Sequence, residues 1–282
     1  MFTTADIAKV RKLIRSARLK GKKVGFVPTM GALHQGHLSL VKACRKDCGF
    51  VVVSIFVNPL QFGPKEDLKK YPRNLGADKT LLQKAKVDLL FYPDSRLIYP
   101  DNFSTFVEEK DLSQPLCGKY RPGHFRGVAT VVAKLFNIVQ PDIAYFGSKD
   151  YQQAEVIRRL IRDLNFPIAL KVLPIIREKN GLALSSRNSY LTFAQRNQAA
   201  IIYQVLKAAK ASIKAGEKNP GKIIRLMRDK LSTVKTLKIE YLEIVDTQSL
   251  RKLETIKGKV LIALAVYLAK VRLIDNITVY AK

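Results

Sequence analysis

The chain predicts an α/β fold, a Rossmann-like doubly wound parallel sheet followed by a smaller C-terminal α+β domain. Three observations carry that expectation. Short apolar runs alternate with amphipathic stretches over residues 1–174, the pattern of repeated strand–helix–strand units. Residue types suited to chemistry gather where those runs end, at 28–37, 58–62 and 147–153, as ligand sites do over the carboxyl ends of parallel strands. After Arg187 the alternation gives way to Lys-rich helical segments and then to strand-like runs.

Residues 1–20 read as an amphipathic helix, with Ile7, Val10, Leu13 and Ile14 on one face and Lys9, Arg11, Lys12 and Arg15 elsewhere. Apolar runs at 24–27, 50–57, 88–92, 143–146 and 169–174 read as strands. Helical stretches at 38–46, 75–86, 127–139 and 151–164 lie between them. Beyond the junction at 175–190, residues 193–232 read as two helices hinged around 216–220, and 237–245, 259–269 and 271–280 as strands. The most apolar late stretch, 260–269, stops at Lys270; it is too short for a membrane span and reads as a core strand. The expected domains are 1–174, carrying the Rossmann-like sheet, and 175–282, the smaller α+β domain.

Composition narrows the class. With 282 residues and 47% hydrophobic side chains, the chain can bury a real core and reads as a soluble globular protein. Cys44, Cys48 and Cys117 are an odd number without metal-type spacing. The first two lie at helical spacing, which suits buried small apolar side chains in a reducing cytoplasm. No secretory signal pattern is visible. Fifty Lys and Arg against 23 acids leave a net charge of +27. The basic residues are spread over 20–23, 69–73, 84–86, 207–230 and 251–259 without interleaved RNA-binding aromatics. That distribution predicts a generally basic surface with weak polyanion binding and no specific nucleic-acid partner.

All three histidines fall in two short motifs. His34 and His37 end the segment Pro28-Thr29-Met30-Gly31-Ala32-Leu33-His34-Gln35-Gly36-His37, and His124 lies in Arg121-Pro122-Gly123-His124-Phe125. Strand, Gly-rich turn and helix start form an arrangement that aims backbone N–H groups at an anion, and two imidazoles add donors. Zinc held by the three histidines is one alternative, and a structural pair is another. Gly36 between the histidines favours phosphate.

Further motifs follow in order: Val57-Asn58-Pro59-Leu60-Gln61-Phe62, Leu116-Cys117-Gly118, Phe146-Gly147-Ser148-Lys149-Asp150-Tyr151-Gln152-Gln153, and Ser185-Ser186-Arg187-Asn188. With these the chain closely resembles the pantothenate synthetase (pantoate–β-alanine ligase) family of His-x-Gly-His nucleotidyltransferases, over nearly its whole length.

The resemblance implies Mg²⁺ with ATP as co-substrate, attack of pantoate on the α-phosphorus, a pantoyl adenylate, and then attack by β-alanine. It also implies a cytoplasmic homodimer. Carried over residue by residue, it makes His37, His34 and Lys149 catalytic, with the proton-donor role on His37. ATP contacts fall on Met30, Gly31, Ala32, Leu33, His34, Gln35, Gly36, His37, Gly147, Ser148, Lys149, Asp150, Ile176, Leu184, Ser185, Ser186 and Arg187. Substrate contacts fall on Gln61, Gln153 and Asn58. Gln153, at i+4 from Lys149, is expected on the active face, with Gln152 facing solvent. Asp78 matches a position linked to Mg²⁺, although a lone helical Asp also reads as a surface residue. His124 reads as a packed residue beside the site, or a catalyst.

Two positions depart from the family pattern. Ser148 stands where a carboxylate is usual, and Leu184 where methionine is common. Two rival readings remain: another His-x-Gly-His nucleotidyltransferase, which would lack the paired Gln61 and Gln153 and the Arg-Pro-Gly-His-Phe segment, and a nucleic-acid-binding protein motivated by charge.

Overall fold

A computed structural model of the chain describes residues 1–64 and 66–281. In chain order the strands are β1 (Phe2–Thr4), β2 (Val24–Thr29), β3 (Phe50–Ile55), β4 (Leu89–Phe91), β5 (Ile143–Gly147), β6 (Ala169–Leu173), β7 (Leu237–Asp246), β8 (Gly258–Leu268) and β9 (Val271–Ala281). The helices of the first half are α1 (Ile7–Leu19), α2 (Gln35–Asp47), α3 (Leu75–Lys84), α4 (Ser95–Ile98) and α5 (Cys117–Tyr120). They are followed by α6 (His124–Val139), α7 (Tyr151–Asp163), α8 (Phe193–Ala199), α9 (Ile201–Lys214) and α10 (Pro220–Ser232).

These elements form two compact units. The N-terminal unit comprises residues 1–113, 121–148 and 153–174; the C-terminal unit comprises 114–120, 149–152 and 175–282. The short segments 114–120 and 149–152 therefore pack with the later half of the chain, which a single cut in the sequence could not express.

The sheet of the N-terminal unit is parallel, in the order β1-β4-β3-β2-β5-β6. Its inner strands β2 to β5 are largely buried, with every residue of β3 buried, because helices cover both sides, while the edge strands β1 and β6 are more exposed. β2 is central: it pairs with β3 from Val24↔Phe50 to Thr29↔Ile55 and with β5 at Gly25↔Ile143. Strand order reverses between β2 and β5, which makes their carboxyl ends the topological switch point. α6 buries nearly its whole circumference, as expected of a helix that is apolar all round.

The strands β2 to β9 fall on the apolar runs that predict them, while several helix boundaries differ, α6 beginning at His124 rather than 127 and the short α4 and α5 having no counterpart in the periodicity. Residues 2–4 are a parallel edge strand against β4 rather than part of the first helix. Three residues are too few for a periodicity to register, and Asp6 caps α1 by accepting from the Ala8 and Lys9 amides. α2 begins at Gln35 rather than 38. Residues 193–232 hold three helices, with α8 and α9 parting at Ala200.

In the C-terminal unit, β7, β8 and β9 form an antiparallel sheet with β8 in the middle. The late apolar stretch is this central strand, and α9 and α10 supply the other side of its core.

The cysteines are all free and buried. A Cβ on Gly25 would stand 2.2 Å from Cys44 Sγ and 2.8 Å from Cys48 Sγ, so α2 lies against β2 through two thiols and a glycine. Burial pushes the Cys44 thiol well up, which makes it packing material rather than a nucleophile. Gly25→Ala is expected to lower stability by about 1–3 kcal/mol or more by overpacking. Adding Cys44→Ala should recover part of that loss. Urea unfolding of both single variants and the double variant reads the non-additivity, and strict additivity would refute this packing account.

Candidate active site

The turn after β2 carries the first motif. Gly31 and Ala32 adopt φ of 82° and 49°, consecutive residues in the left-handed region, where a glycine lowers the strain. The carboxylate of Asp78, from α3, holds them there. It accepts the Ala32 N–H at 3.0 Å and the Leu33 N–H at 2.8 Å, and its side chain is 3% exposed. A Cβ on Gly31 would come within 3.1 Å of Asp78 Oδ2, so glycine also lets the carboxylate approach. Asp78 is thus not a surface residue. Each carboxylate oxygen accepts one main-chain amide, so its place here is to hold the turn, and the Mg²⁺ role implied by the resemblance is left to the test below.

At the start of α2 the two histidines cap the helix reciprocally. His34 Nδ1 accepts the Gly36 N–H at 3.1 Å, and His37 Nδ1 accepts the His34 N–H at 3.3 Å. The rings lie with centroids 4.1 Å apart. A Cβ on Gly36 would stand 2.8 Å from His34 Cε1, which explains the glycine between them. A ring nitrogen that accepts an amide hydrogen bond carries no proton, so each neutral imidazole is fixed with N–H at Nε2. The sequence reading aimed this turn's backbone amides at an anion. Instead the Ala32, Leu33, His34 and Gly36 amides have partners within the protein, and the imidazole Nε2–H groups are the donors that the fold orients. The three histidines do not converge, and among the described residues no set of three His, Cys, Asp or Glu side chains forms a metal site; His124 lies elsewhere in the same unit.

The corner after β3 carries Asn58 and Gln61. Asn58 is 1% exposed. Its amide donates to Gln61 Oε1 at 3.1 Å and to the Gly127 carbonyl at 3.0 Å. Its Oδ1 accepts from Tyr99 Oη at 2.7 Å and from the Leu60 N–H at 3.3 Å. Both hydrogens and both lone pairs are therefore used, so Asn58 positions Gln61 rather than contacting substrate directly, as the sequence reading had it. Gln61 is half-buried, and its Nε2 lies 3.2 Å from Met30 Sδ.

His124 and Arg121 hold the same corner from α6 and the loop before it. Arg121 donates to Glu66 through Nε at 2.7 Å and Nη2 at 2.6 Å. Burial alone would raise the Glu66 carboxyl, but the Arg121 hydrogen bonds and charge carry it below its ordinary value. The pair therefore stabilises the fold fully above the ordinary carboxylate range, and that contribution is lost as pH falls through the depressed value.

Gly147, Ser148 and Gln153 also lie in the N-terminal unit, at the end of β5 and the start of α7. A Cβ on Gly147 would meet no described atom within 4 Å, so protein packing does not require the glycine. Gln153 is half-buried. Gln152 is 5% exposed, contrary to its expected solvent-facing place; it accepts the Cys117 N–H at 3.0 Å and donates to the Pro115 carbonyl at 2.6 Å.

The remaining candidates belong to the C-terminal unit. Lys149 is half-buried and Asp150 exposed. The buried Asn276 of β9 donates to the Lys149 carbonyl at 2.9 Å, which anchors the backbone beside the amine-bearing side chain. Ile176 accepts the Leu184 N–H at 2.9 Å, and Glu178 N–H donates to the Leu182 carbonyl at 2.8 Å, closing a hairpin at Gly181, whose φ is 96°. The hairpin delivers Ser185, whose Oγ caps a 3-10 turn by accepting from the Arg187 N–H. Asn188 secures that turn with bonds to Glu178 Oε1 and the Ala183 carbonyl. The Arg177–Asp275 pair anchors the hairpin's base, its nitrogens 2.5 and 2.9 Å from the carboxylate. Asp275, Asn276 and Arg177 carry no local signal, because Arg177 and Asp275 lie 98 positions apart and Asn276 lies 127 from Lys149.

Comparison with known proteins settles the lineage. The family model for pantoate-beta-alanine ligase matches residues 3–278. The chain belongs to the pantoate–β-alanine ligase family. It is 55% identical to a pantothenate synthetase of Thermosipho melanesiensis, over 99% of each chain. It is 53% identical to that of Thermotoga neapolitana, over 96% of each. A crystal structure of pantothenate synthetase from Thermus thermophilus superposes with a TM-score of 0.93 at 46% identity, covering 99% of this chain and 100% of that one. A pantoate-beta-alanine ligase from Francisella tularensis, described as complexed with beta-gamma ATP and beta-alanine, superposes with a TM-score of 0.82 at 38% identity, over 98% and 97% of the chains.

Asp78→Asn tests the turn. The amide keeps the volume but leaves one acceptor oxygen and brings N–H donors against the Ala32 and Leu33 amides. Half-saturation for ATP is expected to rise about tenfold or more, with an unchanged Mg²⁺ requirement. A shift confined to the Mg²⁺ titration would identify a metal ligand instead.

Proposed function

We propose that this ligase condenses pantoate with β-alanine through a pantoyl adenylate, using ATP and releasing pyrophosphate and AMP. The observation that carries the reading is the reciprocal cap of His34 and His37, which fixes two Nε2–H donors beyond the carboxyl end of β2, where a parallel sheet binds nucleotides.

In the first step a pantoate carboxylate oxygen forms a bond to the α-phosphorus. The bond from that phosphorus to the bridging oxygen breaks, and pyrophosphate departs with the electron pair. In the second step the neutral amine of β-alanine bonds to the acyl carbon, the C–O bond to AMP breaks, and the amine releases a proton. Neither step needs a protein nucleophile. Catalysis then consists of alignment and of stabilising charge on phosphate oxygens.

His34 and His37 donate to those oxygens, with His37 as proton donor. Lys149 supplies a positive charge to phosphate, Asp150 accepts from the ribose hydroxyls, and Ser185, Ser186 and Arg187 bind the nucleotide as part of a lid. The Met30–His37 turn, Gly147, Ser148, Ile176 and Leu184 complete the ATP contacts. Gln61 and Gln153 bind pantoate, and Gln61 also meets β-alanine. Mg²⁺ enters with ATP as part of the substrate, offsetting phosphate charge. The same family likeness supports a cytoplasmic homodimer; among the described residues no helix is long and apolar enough to cross a membrane.

Two measurements test this reading. Labelled pyrophosphate should exchange into ATP with pantoate and Mg²⁺ present and β-alanine absent; exchange that needs β-alanine, or runs without pantoate, rules out the adenylate order. His37→Ala should lower kcat by about 10²-fold or more while ATP binding weakens less, and near-normal turnover would return the imidazole to a purely structural role.

A further inference from the structure

The Arg121-Pro122-Gly123-His124-Phe125 segment has no part in the chemistry above, yet two of its side chains end on one atom, the Gln61 carbonyl oxygen. His124, 8% exposed, has Nδ1 2.9 Å from the Gln61 carbonyl oxygen and Nε2 3.1 Å from Arg121 Nη1. A guanidinium can only donate. Nε2 must therefore accept, the proton sits on Nδ1, and Nδ1–H donates to Gln61. Arg121 Nη2 donates to the same carbonyl at 3.2 Å, while Glu66 grips the guanidinium from its other side.

The main chain closes on this corner as well. A Cβ on Gly127 would stand 2.3 Å from the Leu60 carbonyl oxygen and 2.7 Å from the Gln61 nitrogen. Glycine is thus what lets α6 lie directly against the turn, with His124 three residues before it on the same helix. The side chain of Gln61 is fixed in turn by Asn58.

Two charged groups and a histidine are largely removed from water to hold one carbonyl. Burying a charge is unfavourable unless it is closely paired, so an ordinary turn would not be built this way. We propose that Glu66, Arg121 and His124 are positioning residues: a relay that sets the Gln61 amide for the acid substrate. This rests on the reading of Gln61 as a pantoate contact.

The experiment measures half-saturation for pantoate and for ATP in the pyrophosphate-exchange reaction. Gln61→Ala checks the reading itself, and a wild-type pantoate value in that variant would overturn both the reading and the relay. His124→Ala and Arg121→Lys should each raise the pantoate value about tenfold, as loss of an oriented polar contact does, with the ATP value within about twofold. His124→Asn should restore most of the loss, because its amide N–H can take the place of Nδ1–H. In a Gln61→Ala background, His124→Ala should add little, since the side chain it positions is gone. Equal rises for ATP and pantoate, no rescue by Asn, or full additivity with Gln61→Ala would overturn the relay while leaving Gln61 as the pantoate contact. Should His124→Ala not fold, Arg121→Lys alone and combined with Gln61→Ala reads the same coupling.

Discussion

The carboxylate of Asp78 holds the turn on which the histidine pair depends. Gly31 and Ala32 both sit in left-handed backbone, a conformation that costs free energy for a residue with a Cβ and persists only when something over-determines it. Two amide hydrogen bonds to a buried anion do so here. The turn they shape brings His34 to the N-cap of α2, and from that position the imidazoles can satisfy each other's backbone.

Histidine appears in two opposite protonation patterns within one unit. At the α2 cap the backbone amides select Nδ1 as acceptor, so the proton sits on Nε2. Beside Gln61, the Arg121 guanidinium selects Nε2 as acceptor, so the proton sits on Nδ1. Each tautomer follows from the one neighbour whose role cannot change, an amide N–H in the first case and an arginine in the second. At the corner after β3 the Asn58 amide has all its hydrogen-bond capacity spent inside the protein, part of it on the Gln61 side chain.

Much of the fold was legible because parallel strands buried on both faces read as unbroken apolar runs, as in residues 50–55. The three-residue β1 was not, since a strand that short has no period. The true start of α2 was missed for a different reason: imidazole is not among the side chains that usually signal an N-cap. Gln152 and Gln153 looked alike in sequence. The difference between them arises because Gln152 meets the 115–117 main chain, a contact with a segment 35 residues away.

By itself the sequence determined the strand–helix order, the family, and which residue types stand at the strand ends, because these follow from local periodicity and motifs in a fixed order. Tertiary structure decided what those residues do for one another. Asp78 became a buried pin because α3 packs across the β2 turn, and His124 became a buttress because Gly127 admits α6 to within contact of Leu60. Hydrogen-bond capacity is set by partners distant in the chain, and no local pattern records whether a lone pair is already taken.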